Sequence, residues 1–300
     1  MPSTEPELKD IAQPDYSDYL HVVVAVVENT EGKVLIARRH EHLHQGGLWE
    51  FPGGKVEREE EAYAALQREL QEELAISPLK ARPLLRLPFC YPDRKVLLDV
   101  WRVVEFKGSA RGVEGQPLLW VNKDDLCKYQ FPEANRPIMT AIQLPSCYLI
   151  TPEPGEEDKW PSFLQRLQHS LQSGIKLVQL RAPSLDSSSY LRLAHQVLTC
   201  CDYYGAQLIL NANIDILEQC HAAGMHLSSR RLMGLLHRPV GADKLLAASC
   251  HSFIELQHAQ KIGVDFAVLS PVNTTSSHPD ALPLGWKNFR CLSEQSTIPL

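Results

Sequence analysis

No apolar run in the sequence reaches the ~18 residues that cross a bilayer, so no membrane-spanning helix is expected. Cysteine lacks any metal-binding arrangement: Cys90, Cys127, Cys147, Cys200, Cys201, Cys220, Cys250 and Cys291 include no C-x-x-C pair. That absence excludes a zinc motif and leaves reduced, mostly buried thiols in a cytoplasmic protein. An excess of positive charge is also missing, with 30 Lys and Arg against 36 Asp and Glu for a net charge of −6. Direct nucleic-acid binding is therefore not expected, nor attraction to an acidic membrane surface. A polyanionic substrate would need local cations, supplied by a metal or a few Arg. Residues 1–17 read as an acidic polar tail without the apolar segment of a signal peptide.

What remains is an ordinary globular composition, 44% hydrophobic and 22% charged over 300 residues, with room for two domains. The first spans 18–145. His21–Asn29 and Lys33–Arg39 are β-rich and flank a turn at Thr30-Glu31-Gly32. Residues 59–74, rich in Glu, Ala, Leu and Gln, predict a helix with Ala62, Leu66 and Leu70 on its apolar face. Further strands are expected at 82–90, 95–106 and Trp120-Val121, then a short helix after the turn between Pro132 and Pro137.

The pattern changes at Leu144-Pro145-Ser146, and strand and helix alternate from 146 to 300. Strands are expected at Tyr148–Thr151, Leu177–Arg181, Gln207–Asn211, Met225–Leu227, Leu245–Ser249 and Phe266–Ser270. Repeated βα units predict a parallel sheet, open or closed into a barrel. A seventh strand would begin at Ile298-Pro299-Leu300, so an eight-stranded barrel would lack its last units.

The chemistry-bearing pattern lies in GKVEREEEAYAALQRELQEELAI, residues 54–76. Glu69, Glu72 and Glu73 stand at i, i+3 and i+4, which puts three carboxylates on one helical face. Like charges so placed repel unless a cation sits among them. Mg²⁺, which takes carboxylate oxygens and keeps waters for phosphates, suits that role. Arg68 can orient or neutralise one carboxylate, and Pro52-Gly53-Gly54 permits close backbone approach. Carboxylates alone would equally describe a solvated helix. The spacing decides otherwise: Gly54, Glu60, Arg68-Glu69-Leu70, Glu72-Glu73 and Ile76 reproduce G-x5-E-x7-R-E-U-x-E-E-x-G-U, where U is apolar. Ala75 stands where the pattern has its last Gly, which costs about 1 kcal/mol if that residue closes the helix left-handed.

That pattern is the Nudix box, and residues 21–143 resemble the MutT branch of the Nudix hydrolases. The likeness extends through Leu48–Lys55, Tyr91–Arg94, Gly112–Pro117 and Phe131–Asn135. The resemblance implies a mixed-sheet α/β/α sandwich that cleaves oxidised purine nucleoside triphosphates such as 8-oxo-dGTP to the monophosphate and pyrophosphate. It implies Mg²⁺, or Mn²⁺ in its place, held by Glu69, Glu72, Glu73, Glu114 and the Gly53 carbonyl. Glu69 would take the proton of the attacking water, with Arg68 and Glu60 completing the catalytic set. Arg39 and Arg94 would meet the phosphates or the base region, Phe51 would line the base pocket, and Asn135 would read the purine edge. Without the resemblance, Asn135 reads equally as a turn or cap residue, and His40, His42 and His44 as exposed loop residues.

Residues 147–300 resemble thiamine-phosphate synthases and their TenI-like relatives, a TIM-barrel family. The likeness lies in Tyr148–Thr151, Leu177–Arg181, Leu208–Asn211, Gly224–Leu227, Ser249–Ser252 and Ser270-Pro271-Val272. It implies a ligand pocket at the strand C-terminal ends with Gln179, Arg181, Asn211 and Ser249, and a phosphate loop with Thr275 and Ser277. The departures are pointed. The two metal-binding Asp positions hold Ala212 and Arg231, and two Lys positions hold Pro183 and His278. Synthesis of thiamine phosphate is therefore not expected; the alternatives are binding of a small phosphorylated ligand, support of the first domain, or no separable role. Two rival readings remain: a Nudix hydrolase of another diphosphate, such as a thiamine-related pyrophosphate, and a regulatory protein whose barrel senses a ligand.

Overall fold

The computed structural model describes residues 11–41, 45–275 and 282–300. His42, His44, Ser277 and His278, all singled out from the sequence, lie outside the described residues. The chain forms two compact units, one holding 11–143 with 290–299 and the other 144–289 with residue 300.

In the first unit β1 (Leu20–Val27) is buried on both faces from Val23 to Val27. Its alternation sends Val23, Ala25 and Val27 to one core and Val24 and Val26 to another. β2 (Val34–Arg38) pairs antiparallel with β3 (Trp49–Glu50). Leu66, Leu70 and Leu74 of α1 (Ala62–Leu74) pack on the first core. β4 (Ser77–Cys90) and β5 (Lys95–Lys107) form a long antiparallel ribbon, and β5 runs parallel to β1. β6 (Leu118–Val121) closes the second sheet against β2. Ile138 and Ile142 of α2 (Arg136–Gln143) fill the second core. The expected α/β/α arrangement with mixed strands is present.

Two boundaries differ by three residues or more from the sequence reading. The helix starts at Ala62 rather than at 59, because Glu59 adopts φ +66° and the Glu60 carboxylate accepts from the Glu57 N–H at 2.9 Å. Its buried residues are Ala65, Leu66, Leu70 and Leu74, while Ala62 is half-exposed. β4 begins at Ser77 rather than 82, because its register shifts around Pro78 and Pro83 break the alternation by which a strand is read. The helix stops as expected: Ala75 is left-handed, φ 56° and ψ 36°, its N–H donates to the Gln71 carbonyl at 3.1 Å, and the Ile76 N–H donates to the Leu70 carbonyl at 3.2 Å.

The second unit contains all six expected strands: β7 (Tyr148–Ile150), β8 (Leu177–Leu180), β9 (Gln207–Leu210), β10 (Gly224–Leu227), β11 (Leu245–Cys250) and β12 (Phe266–Leu269). They pair parallel in sequence order. Helices α3 (Trp160–Gln172), α4 (Ser187–Tyr203), α5 (Ile214–Cys220), α6 (Ser229–Met233) and α7 (Phe253–Lys261) connect them, and α8 (Gly285–Glu294) follows. The sheet curls far enough for Tyr148 on its first strand to meet the Phe266 ring on its last, centroids 5.3 Å apart. Leu177, Ile209, Ala247 and Phe266 fill the hollow. This is a half-barrel; residues 298–300, where a seventh strand was expected, form none. All eight cysteines are free, and among the described residues no helix is long and apolar enough to cross a membrane.

Candidate active site

The loop before α1 is laid against β1. Val23 N–H donates to the Gly54 carbonyl at 2.9 Å and Ala25 N–H to the Pro52 carbonyl at 2.7 Å. Gly53 sits at φ +147°, and a Cβ there would overlap the Val23 carbonyl oxygen. At Gly54 a Cβ would overlap the Glu69 carboxylate. The two glycines thus bring backbone up to the carboxylate face of the helix.

On that face Arg68 is the organiser. Its guanidinium donates to Glu60, to Glu69 at 2.8 Å, to Glu72 at 3.2 Å and to the Lys55 carbonyl at 2.9 Å. These bonds hold the Arg68 pKa above its ordinary value, with Glu60 the largest cause. Arg68 thereby links Glu60 to Glu69 and Glu72.

Glu73 lies on the inner side of the cluster and accepts from Gly53 N–H at 3.3 Å. Burial pushes its carboxyl up to about 8, reinforced by the nearby charges of Glu50, Glu69 and Glu114. Glu114 is brought there by a turn tied to the helix end: Val113 N–H and the Gln116 amide both donate to the Glu73 carbonyl at 3.0 Å. Glu50 and Gln116 were not singled out from the sequence. Glu50 carries a signal in retrospect, a carboxylate between Trp49 and Phe51 on the strand entering the box. Gln116 acts through a turn that no local spacing announces.

The donor set suits a hard divalent cation. Several carboxylates share a small volume, one of them held protonated into the neutral range by burial and by the charges of the others, and glycines clear the backbone around them. Among the described residues no three His, Cys, Asp or Glu side chains are already gathered as a complete ligand set. On this face Glu69 and Glu72 are hydrogen-bonded to Arg68 instead.

Beside the carboxylates opens a cavity of about 250 Å³ lined by Phe51, Asn135, Arg39, Arg94 and Gly53, among others. The cavity brings together the expected base-pocket and phosphate residues. Phe51 is 3% exposed and stacks on Phe131 with centroids 5.4 Å apart. Arg39 pairs with Glu50, whose pKa is raised by burial, and Arg94 pairs with Asp93 at 2.9 Å. Asn135 is 9% exposed, and its amide makes no hydrogen bond to any described residue. The amide is therefore not spent on a turn or a cap.

In the second unit Gln179, Asn211 and Ser249 join one buried polar chain. Asn211 Nδ2 donates to Gln179 Oε1 at 3.0 Å, and Gln179 Nε2 to the Tyr148 hydroxyl at 2.9 Å. The hydroxyl meets His226 Nδ1 at 3.1 Å, and His226 Nε2 meets Ser249 Oγ at 2.8 Å. Arg181 is not part of the chain, and Thr275 is exposed in the loop after β12. His226 and Tyr148, which complete the chain, were not foreseen; each is polar on an otherwise apolar strand.

Comparison with known proteins accords with both halves. The family described as NUDIX domain matches residues 23–141, and the family described as thiamine monophosphate synthase matches 147–300. An 8-oxo-dGTP diphosphatase of Escherichia coli (strain K12) is 36% identical over 41% of this chain and 96% of its own. A CTP pyrophosphohydrolase of the same organism is also 36% identical, over 41% of this chain and 90% of its own. A thiamine-phosphate synthase-like protein of Aquifex aeolicus (strain VF5) is 34% identical over 53% of this chain and 84% of its own. The first unit makes the protein a hydrolase of phosphorus-containing anhydrides. The chain belongs to the Nudix family, in its MutT type, fused to a member of the thiamine monophosphate synthase family.

Proposed function

We propose that the first unit is a Mg²⁺-dependent pyrophosphohydrolase of oxidised purine nucleoside triphosphates, converting 8-oxo-dGTP to 8-oxo-dGMP and pyrophosphate and so cleansing the nucleotide pool. The observation that carries the substrate is Asn135, a largely buried residue whose amide is bonded to no described residue and opens into the cavity beside the carboxylates. An amide offers one acceptor and two donors, so it distinguishes base edges whose hydrogen-bonding pattern changes on oxidation. Left unpaired by the wrong base, it penalises that base.

Glu69, Glu72, Glu73, Glu114 and the Gly53 carbonyl would hold the ion, after Glu69 and Glu72 turn from Arg68. Bound there, Mg²⁺ (or Mn²⁺) supplies charge neutralisation at the phosphate oxygens. Glu69 accepts the proton of the water that attacks phosphorus, the anhydride bond breaks, and pyrophosphate departs. Phe51 offers its ring to the base, and Arg39 and Arg94 meet the phosphates or the base region.

A second reading is a Nudix hydrolase of a different diphosphate. The equal identity to the CTP pyrophosphohydrolase and the fused thiamine-synthase-like unit favour keeping it. Pyrophosphate release with Mg²⁺ from 8-oxo-dGTP, dGTP, CTP and thiamine pyrophosphate, side by side, tests both. Preference for 8-oxo-dGTP is expected. Equal turnover of 8-oxo-dGTP and dGTP would overturn the preference for the oxidised base, and faster turnover of CTP or thiamine pyrophosphate would overturn the purine assignment, while either result keeps the hydrolase.

A further inference from the structure

Two separate segments of the first unit meet at the cavity beside the carboxylates. One is the tip of the β4–β5 hairpin, which contributes Tyr91 and Arg94; the other is the turn before α2, which contributes Ala134 and Asn135. The hairpin tip is closed by Tyr91 N–H, which donates to the Arg94 carbonyl at 2.8 Å, and by the Phe89 and Tyr91 rings, centroids 4.8 Å apart. The turn spans Glu133–Asn135. Within it Asn135 N–H donates to the Pro132 carbonyl at 2.9 Å and Arg136 N–H to the Glu133 carbonyl.

Neither of these bonds uses the Ala134 N–H. Ala134 is 2% exposed, and a buried N–H is costly unless it is paired. Its acceptor is the hydroxyl oxygen of Tyr91. Burial raises that phenol above its ordinary value, so the oxygen stays a neutral hydroxyl. The Tyr91 ring itself packs on the core cluster that contains Phe51, Leu98 and Ala134. A Phe would fill that space equally well. What the hydroxyl adds is one bond, made to the residue directly before Asn135.

We infer that Tyr91 is a specificity-determining positioning residue, which holds the turn through the Ala134 N–H and so fixes the direction in which the Asn135 amide enters the cavity. The inference rests on the reading of Asn135 as the group that meets the base edge. An amide carries its donor and its acceptor side by side, so it tells one edge from another only while its direction is fixed. Without the hydroxyl the turn keeps only its local bonds. The well-matched nucleotide then loses more than the poorly matched one.

The test compares the full chain with Tyr91→Phe, Asn135→Ala and the double variant, by pyrophosphate release from 8-oxo-dGTP and from dGTP. Tyr91→Phe should raise the KM for 8-oxo-dGTP about threefold to tenfold, the net worth of one hydrogen bond. The change in kcat, and the change for dGTP, should be smaller. In the Asn135→Ala background the same substitution should alter kcat/KM by less than about twofold, because the group it positions is gone. Hydrogen exchange at the Ala134 amide should quicken in Tyr91→Phe, which reports the bond independently of turnover. Thermal unfolding close to that of the parent establishes that the variant is folded. Lost discrimination in Asn135→Ala but not in Tyr91→Phe, an equal effect of Tyr91→Phe in both backgrounds, or unchanged exchange at Ala134 would overturn the inference and leave the base-edge reading standing. No discrimination in the parent, or discrimination untouched by Asn135→Ala, would overturn the base-edge reading and the inference with it.

Discussion

Arg68 grips Glu60 with two parallel hydrogen bonds, Nε to Oε1 at 3.0 Å and Nη2 to Oε2 at 2.9 Å, and the same guanidinium spans to Glu69 and Glu72. One side chain thus ties the loop before the helix to the carboxylates on it. Removing it leaves those carboxylates without their orienting partner. Arg68→Met should lower kcat by ~10–100-fold, the range for outer-shell partners of metal ligands, and raise the Mg²⁺ concentration needed for half-maximal rate. Arg68→Lys should recover little, since an ammonium cannot make the paired contact. Pyrophosphate release across a Mg²⁺ titration measures this; an unchanged kcat in Arg68→Met would remove the positioning role.

Gly53 and Gly54 should fail differently when given a methyl group. At Gly53 the added carbon meets the backbone of β1, which cannot yield, and the positive φ is itself unfavourable to Ala. Gly53→Ala should therefore lower thermal stability as well as activity. At Gly54 the added carbon meets the end of the Glu69 side chain, which can swing away. Gly54→Ala should keep near-parental thermal stability while losing most turnover. Equal thermal losses in the two variants would count against this division.

Much of this was legible before any coordinates. The box spacing located Glu69, Glu72 and Glu73 on one helix, and the left-handed Ala75 follows from the single departure in that spacing. All six strands of the half-barrel fell within a residue of expectation, because short buried parallel strands are nearly continuous apolar runs between helices. What stayed hidden depends on tertiary approach. Glu50 joins the cluster because β3 delivers it next to Glu73. Arg231 and Asn211 are 20 residues apart, and only the parallel pairing of β9 with β10 sets them against each other. The start of β4 was obscured by Pro78 and Pro83, which sit at its irregularities.

Glu28 gives the first unit an acid-sensitive stability. It is 9% exposed at its side chain and pairs with Arg102 at 2.8 Å and Lys123 at 2.9 Å. Burial pushes its carboxyl up, but those two cations outweigh burial and hold it below the usual range. A depressed folded pKa means the stabilisation is complete above the unfolded value of ~4.3 and is lost as pH falls through the folded one. At pH 7, Glu28→Gln should cost about 1–3 kcal/mol, less than the ~3–5 kcal/mol of a fully buried pair because both cations reach solvent. The cost should shrink below about pH 4. Native-state hydrogen exchange at the β1 amides is the suitable measurement, since two units need not unfold together. A cost that stays constant down to pH 3 would show that the charge is not the cause.

Asn135 should govern which nucleotide is chosen more than how fast the chemistry runs. Its amide lies in the cavity beside Phe51 rather than among the carboxylates, so truncation leaves the ion-binding face intact. A lost hydrogen bond to a base costs about 1–3 kcal/mol when its partner is left unpaired, roughly tenfold or more in kcat/KM. Asn135→Ala should therefore lower kcat/KM for 8-oxo-dGTP about tenfold or more while changing that for dGTP little, so the ratio between them collapses. Asn135→Asp should also lower it, because a carboxylate keeps acceptors and loses the donors. If Ala lowers both nucleotides equally, the residue serves the shape of the cavity and the reading of the base edge must come from backbone groups near Phe51.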